Sequence, residues 1–382
     1  MATDAYIVDA VRSPIGRRNG ALAQVRADEL AGQILNALAT RNALDPAEVE
    51  DVQMGCVTQI AEQGWNIARM ATLVAGWPDT VCGASVDRQC GSSMQSCFNA
   101  ATAIRAGELD VVVAAGVESM SRVPMGSNGG DLSPTLLERF EIVPQGISAE
   151  VIAREWSLSR EELDAYSLES HRRAAAAIDE GRFERETAAV SLLDGESFAV
   201  DETPRRDTSS EKLAALDPAF LPDGVVTAGN SSQIVDGAAA VLVASERACD
   251  RLDLEPRARF VSFGLAGVDP HRMLHGNPRA CEKALARAGL GWDDVAVIEV
   301  NEAFASVVLQ FLADTRLGDR HADVNPNGGG ISLGHPLGAT GARMTATLLS
   351  ELERRGARYG IASMCIGFGQ ALAAVVERLD AR

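Results

Sequence analysis

Apolar positions along the chain fall into short strand-like runs and longer amphipathic stretches, and the two kinds alternate. A strand-like segment at residues 5–10 is followed by an amphipathic stretch at 27–41, a turn, and a strand-like run entering at Val52. The same order recurs late in the chain. An amphipathic stretch at 278–288 leads through a turn into a run over 298–301. Leu44 and Leu290 are offset by 246 positions, as are Val49 and Val295. Repeated helix–turn–strand units of this kind predict an α/β fold made of two similar halves.

The offset of 246 carries Cys90 to position 336, beside His335. Each residue sits in a glycine-bearing turn ahead of a helical stretch, 94–106 in one half and 342–355 in the other. Each helix precedes an apolar strand, 110–115 and 359–364. The second half then closes with a tight glycine turn and a strand at 371–376. In the first half the matching strand, 238–244, comes more than a hundred residues later. The pattern therefore predicts a first half of residues 1–115 with 238–255, an inserted unit at 116–237, and a second half at 256–382. Pseudo-twofold symmetry would place Cys90 and His335 at equivalent helix N-termini, facing each other.

Charge narrows the possible partners. A formal net charge of −18 argues against nucleic acid or an anionic membrane surface, since both are negative. An anionic small ligand needs only a local basic patch. No apolar run approaches a membrane span, and neither the first residues nor the terminal Leu379-Asp380-Ala381-Arg382 carries a targeting pattern, so a cytoplasmic protein is expected. Seven cysteines without CxxC pairing predict free thiols in a reducing compartment.

Free thiols make Cys90 a candidate nucleophile. At a strand-to-helix turn it would meet unpaired N–H groups and the positive end of a helix, both favouring thiolate. A small buried hydrophobe is the competing reading. His335 lies within Asn327-Gly328-Gly329-Gly330-Ile331-Ser332-Leu333-Gly334-His335-Pro336-Leu337-Gly338-Ala339-Thr340-Gly341. So many glycines suit a backbone approaching a ligand closely, and imidazole can take a thiol proton. A phosphate cradle is the alternative, but the segment matches neither phosphate-binding glycine pattern. Cys365, ending a strand before Ile366-Gly367-Phe368-Gly369, could shuttle a proton at the carbon beside a thioester carbonyl; a disulfide to Cys90 competes with that role. Asn301 could hold a water or donate to an oxyanion, or only cap the next helix. Ligands at metal-site spacing are absent from the sequence.

Together these segments resemble the thiolase family, and the resemblance extends over essentially the whole chain. It includes Ala10-Val11-Arg12-Ser13-Pro14-Ile15-Gly16, Gly116-Val117-Glu118-Ser119-Met120-Ser121 and Thr227-Ala228-Gly229-Asn230-Ser231-Ser232-Gln233. The resemblance implies two βαβαβαββ halves in a five-layered αβαβα core with an inserted loop domain that binds coenzyme A. Cys90 would hold the acyl group and His335 would activate it. Cys365 would deprotonate the second acyl-CoA, or protonate the enolate in the reverse direction. His335 with a water on Asn301 would form one oxyanion hole, and the N–H groups of Cys90 and Gly367 the other. Arg205, Leu216, Phe220, Ala228, Gly229 and Ser232 align with coenzyme A contacts, and Ala303 and Phe304 with the inner pocket. Arg206 is read as a solvated charge. Coenzyme A and its thioesters enter as substrates, with no covalently bound cofactor, and a homodimer or homotetramer is implied.

One segment departs from the family. Where many thiolases carry histidine–methionine–glycine, this chain has Pro144-Gln145-Gly146. That favours degradative cleavage of a 3-ketoacyl-CoA, of the fatty acid or sterol kind, over acetyl-CoA acetyltransferase activity. A non-catalytic acyl-CoA-binding relative is the distant third reading.

Overall fold

A computed structural model describes residues 4–380; Ala381 and Arg382 of the C-terminal stretch considered above lie outside the described residues. The chain begins with β1 (Tyr6–Arg12), β2 (Gly16–Arg17), α1 (Ala27–Arg41), β3 (Asp51–Gly55), α2 (Ile67–Val74), β4 (Cys82–Val86), α3 (Ser92–Ala106) and β5 (Val111–Ser119). An excursion follows, with α4 (Pro134–Arg139), α5 (Gln145–Glu155), α6 (Arg160–Asp179), the hairpin β6 (Val190–Ser191) and β7 (Ser197–Phe198), and α7 (Ser210–Ala214). The chain returns through β8 (Val235–Ala244) and α8 (Glu246–Leu252). It then builds β9 (Ala258–Gly267), α9 (Asn277–Ala288), β10 (Val295–Val300), α10 (Ala305–Thr315), α11 (Thr340–Arg355), β11 (Tyr359–Ile366) and β12 (Gln370–Arg378).

The strands run β10-β11-β12-β9-β1-β8-β5-β3-β4. The sequence β1-β8-β5-β3 on one side is matched by β9-β12-β11-β10 on the other. In both, the first two pairings are antiparallel and the last is parallel. Among the described residues the two sides are joined in the sheet by the pairs Tyr6 with Arg259 and Ile7 with Ala258. The counterpart of β4 is reduced to a parallel bridge between Ile298 and Val324. No regular strand forms there.

Helices α1 and α2 cover the outer face of the first sheet region. Helices α3 and α11 lie between the two regions and touch strands of both. Helices α9 and α10 cover the outer face of the second. This stacking gives five layers, α-β-α-β-α. Every residue of β5 and β8 is buried, as expected for strands covered on both faces. Of their alanines, Ala114 and Ala239 face the central helices, and Ala115, Ala238 and Ala240 face the outer layer. Close approach at the centre is enforced by glycine: a methyl on Gly341 would lie 2.2 Å from the Met94 backbone nitrogen. The N-terminal ends of α3 and α11 consequently meet, and the Ala342 N–H donates to Ser93 Oγ at 3.0 Å.

Several strands outrun their sequence-predicted ends: among them, β5 reaches Ser119, β8 begins at Val235, and β11 continues to Ile366. Cys365 thus lies inside a strand, paired with Ala371, rather than beyond its end. The Gly367–Gly369 turn is tight enough for the ladder to close fully above it. In the excursion, α6 begins on a reciprocal cap between Ser159 and Glu162. Among the described residues no helix is long and apolar enough to cross a membrane.

Candidate active site

Cys90 stands on a turn whose shape is set by its neighbours. The Gln89 N–H donates to Asp87 Oδ1 at 2.7 Å, and the Gly91 N–H to the Arg88 carbonyl at 2.9 Å. Ser92 Oγ accepts from the Arg88 N–H at 3.0 Å and donates to the Gln89 carbonyl at 2.5 Å. Gln89 is held at φ +45°, a left-handed conformation that costs a non-glycine residue energy. The result turns Cys90 inward at the start of α3. Cys90 is 7% exposed and is a free thiol. Burial pushes its pKa up to about 11; its own N–H and that of Gly367, both directed at the sulfur, oppose the rise without overcoming it. The N–H groups favour the thiolate, as the position at a strand-to-helix turn predicts, but desolvation outweighs them and holds the pKa above its ordinary value.

His335 precedes α11 by one turn. Its Nδ1 lies 2.5 Å from Thr340 Oγ1, which donates its proton to the Pro336 carbonyl at 2.8 Å. The hydroxyl can therefore only accept from the ring, so Nδ1 carries the proton and Nε2 the lone pair. Nε2 receives the Asn301 amide at 3.3 Å. Burial, helped by the charge of Arg343, lowers the His335 pKa to about 3, so the ring is neutral at physiological pH. Asn301 is spent on this contact and does not cap α10, whose N-cap residue is Phe304.

The glycines around His335 serve packing rather than ligand approach. A methyl on Gly338 would lie 2.6 Å from the Val117 carbonyl oxygen, and one on Gly334 2.4 Å from Val235. Two buried glutamates anchor the loop. Glu118 accepts from the N–H groups of Val57, Thr58 and Gly338 at 2.9, 2.9 and 2.8 Å. Glu302 accepts from Tyr166 and Ser170 of α6, each at 2.7 Å, and from the Ile331 N–H at 3.0 Å. Cross-linking of this kind fixes the imidazole relative to both halves and the excursion.

Cys90, His335 and Cys365 line one cavity of about 290 Å³. Cys365 is also a free thiol, so the disulfide alternative is not realised. Burial raises its pKa strongly and the nearby Cys90 raises it further, whereas the Asn277 side chain lowers it. Phe220, Ser232, Ala303 and Phe304 line the same cavity, whose remaining wall includes Met120, Met125, Leu274 and Leu337. Arg205, Leu216, Ala228 and Gly229 line a second cavity of about 230 Å³. Gln233 borders both cavities, and its amide donates to the Ile331 and Ser332 carbonyls at 2.9 Å. The six residues aligned with coenzyme A contacts and the two aligned with the inner pocket thus fall into two adjoining chambers. Arg206 lies outside the second chamber's wall, in an exposed pair with Asp179 at 2.8 Å.

Several residues of the site were not singled out from sequence. His171, Thr208 and Lys212 border the outer chamber, and the Arg205 N–H donates to His171 Nδ1 at 3.0 Å. Gln63, whose amide donates to Glu118 Oε1 at 3.0 Å, and Glu302, which reaches α6, act through long-range contacts that no local spacing announces. Glu118 and Thr340 lay inside quoted segments, yet only the fold reveals their partners.

Two family models match the chain: "Thiolase, N-terminal domain" over residues 5–247 and "Thiolase, C-terminal domain" over 254–378. The chain is 47% identical to the steroid 3-ketoacyl-CoA thiolase FadA6 of Mycobacterium tuberculosis, over 99% of this chain and 95% of that one. It is 45% identical to a 3-ketoacyl-CoA thiolase of Psychrobacter cryohalolentis, over 98% of each. Among solved structures, the Bacillus anthracis acetyl-CoA acetyltransferase superposes with a TM-score of 0.92 at 40% identity, covering 99% of both chains.

Proposed function

The chain belongs to the thiolase family of acyltransferases, and from that premise we propose that it cleaves 3-ketoacyl-CoA thioesters with free coenzyme A. The observation that carries the proposal is the convergence of Cys90, His335 and Cys365 on one largely apolar cavity. His335, neutral with its lone pair on Nε2, accepts the Cys90 proton as the substrate arrives. The sulfur attacks the 3-keto carbon, and negative charge forms on its oxygen. Collapse breaks the C2–C3 bond, leaving an acyl-Cys90 thioester and an acetyl-CoA enolate. Cys365 protonates that enolate at C2. The Cys365 thiolate then takes the proton of an incoming coenzyme A, whose sulfur displaces the shortened acyl group from Cys90. The N–H groups of Cys90 and Gly367 stabilise one oxyanion, and protonated His335 with a water held by Asn301 the other.

A chamber walled by Met120, Met125, Leu274 and Leu337 suits an acyl group larger than acetyl. The relatives named 3-ketoacyl-CoA thiolase support the same direction. Condensation to acetoacetyl-CoA is the second reading, favoured by the fold's match to an acetyl-CoA acetyltransferase.

Coenzyme A enters through the outer chamber, with Arg205 and Lys212 towards its phosphates. In this reading residues 116–237 form the coenzyme A-binding insertion, between a first half of 1–115 with 238–255 and a second half of 256–382; the matching strand order supports the division. A cytoplasmic homo-oligomer fits the free thiols and the unpaired edge of β4, beside which Trp65 is 96% exposed.

A thiolysis panel from acetoacetyl-CoA to branched and ring-bearing 3-ketoacyl-CoA tests the reaction. Cleavage of the bulky substrates is expected, with none by Cys90→Ser. Cys365→Ser is expected to accept an acyl group on Cys90 yet to cleave no carbon–carbon bond. Strict preference for acetoacetyl-CoA would overturn the degradative reading.

A further inference from the structure

The inner chamber contains a polar group to which the reaction above gives no work. Gln145 lines the cavity together with Cys90, His335 and Cys365. Its amide nitrogen lies 3.7 Å from the point where a methyl on Gly367 would stand. The N–H of that same Gly367 is directed at the Cys90 sulfur. The Gln145 carboxamide is therefore close to the reacting carbons, not at the far end of the acyl chamber.

The backbone beneath Gln145 is held firmly. It is the first residue of α5, and the next residue, Gly146, is pressed against the Phe220 ring: a methyl there would lie 2.2 Å from it. Phe220 in turn meets Phe304 edge-on, with ring centroids 6.0 Å apart. One turn further on, the Ala149 carbonyl accepts from Ser306 Oγ at 3.1 Å. The carboxamide itself makes no hydrogen bond to protein among the described residues. A two-donor, one-acceptor group projecting from a fixed backbone into a chamber of methionine, leucine and phenylalanine marks a specific contact.

The thiolysis reading already assigns both oxyanion positions: the N–H groups of Cys90 and Gly367 at one, and His335, once it carries the Cys90 proton, with a water on Asn301 at the other. What remains for Gln145 is the acyl group itself. We propose that Gln145 is a specificity-determining residue that selects 3-ketoacyl-CoA thioesters whose acyl group, otherwise apolar, carries a hydrogen-bonding oxygen a few atoms from the 3-keto carbon. A hydroxyl or a second carbonyl would serve, because a carboxamide both donates and accepts. An unsubstituted acyl chain would bury the carboxamide without a partner, and sites built around such a group reject analogues lacking the oxygen. This inference rests on the thiolysis reading.

The test compares 3-ketooctanoyl-CoA with its 6-hydroxy and 6-oxo counterparts. The wild-type enzyme is expected to favour the oxygenated substrates by about tenfold or more in kcat/KM. Gln145→Met, of similar volume, is expected to bring that ratio to about one or below. Equal cleavage of the three substrates by wild type would overturn the inference while leaving thiolysis intact. An unchanged ratio in a folded Gln145→Met would overturn it as well. Cleavage of none of them, nor of any other 3-ketoacyl-CoA, would instead sink the thiolysis reading and this inference with it.

Discussion

The Nδ1 atom of His335 lies 2.5 Å from Thr340 Oγ1, and that hydroxyl spends its own proton on the Pro336 carbonyl 2.8 Å away. One threonine therefore decides which imidazole nitrogen can accept the Cys90 proton. In Thr340→Val the acceptor is lost, and the ring proton gains by moving to Nε2, where it abolishes the base. Thiolysis kcat is expected to fall about a hundredfold with a smaller change in KM. Thr340→Ser keeps the hydroxyl and is expected to stay within about threefold of wild type. Equal losses in both variants, with matched melting temperatures, would reduce Thr340 to a packing residue.

How much of this was legible in the sequence follows from distance along the chain. Cys90, His335, Cys365 and Asn301 each sit in a local pattern of glycine, cysteine or strand end, and the 246-residue offset paired the first two. Their supports do not announce themselves: Glu118 and the Gly338 N–H it accepts from are 220 residues apart. The repeat was visible at α1 and α9, β3 and β10, α3 and α11, β5 and β11, and β8 and β12, but not at β9, the counterpart of β1. It was silent at β4, whose counterpart shrinks to the Ile298–Val324 bridge and leaves no apolar run. The glycines near His335 were noticed for the right place and the wrong reason. Gly338 and Gly341 clear backbone of the opposite half, a fact that requires three dimensions.

Two of these glycines separate function from fold. The nearest neighbours of a methyl on Gly367 would be Gln89 and Gln145, at 3.6 and 3.7 Å, which is ordinary contact. Gly367→Ala is expected to melt close to wild type yet lose about a hundredfold in kcat/KM, because the methyl occupies the approach to a donor N–H. A methyl on Gly338 would instead meet backbone of Val117, Cys56 and Gly55 at 2.6 to 2.7 Å. Gly338→Ala is expected to lose about 1–3 kcal/mol of stability by overpacking. Thermal melts and thiolysis assays on the pair check both halves of this statement.

The resting state of the nucleophile sets a pH signature. Cys90, with its pKa pushed up to about 11, stays a thiol through neutrality, and His335, lowered to about 3, stays neutral beside it. Alkylation of free enzyme by iodoacetamide at Cys90 is therefore expected to accelerate about tenfold per pH unit between about pH 7 and 9. A rate already level across that range would mean a preformed thiolate–imidazolium pair. Mass mapping of the modified cysteine is part of the measurement, since Cys82 is exposed and will react too.

Behind His335 lies a buried charge whose cost can be read as stability. Glu299 is 1% exposed, and its Oε1 makes no hydrogen bond among the described residues. Burial pushes its carboxyl from 4.5 up to about 8; Arg343 opposes the rise, and Glu302, Glu351 and Glu186 add to it. The folded protein thus holds this proton more tightly than the unfolded chain does. By linkage, the stabilisation is fully present below pH 4.5 and is lost as pH rises through about 8. Glu299→Gln removes the titration while keeping the shape of the protonated acid. At pH 5 the variant should melt close to wild type, and at pH 8 several degrees above it. Comparing the two proteins at each pH cancels every other titrating group they share. A melting difference that stays constant from pH 5 to pH 8 would mean that Arg343 keeps Glu299 ionised throughout, and that the pair behind His335 is a salt bridge rather than a stored proton.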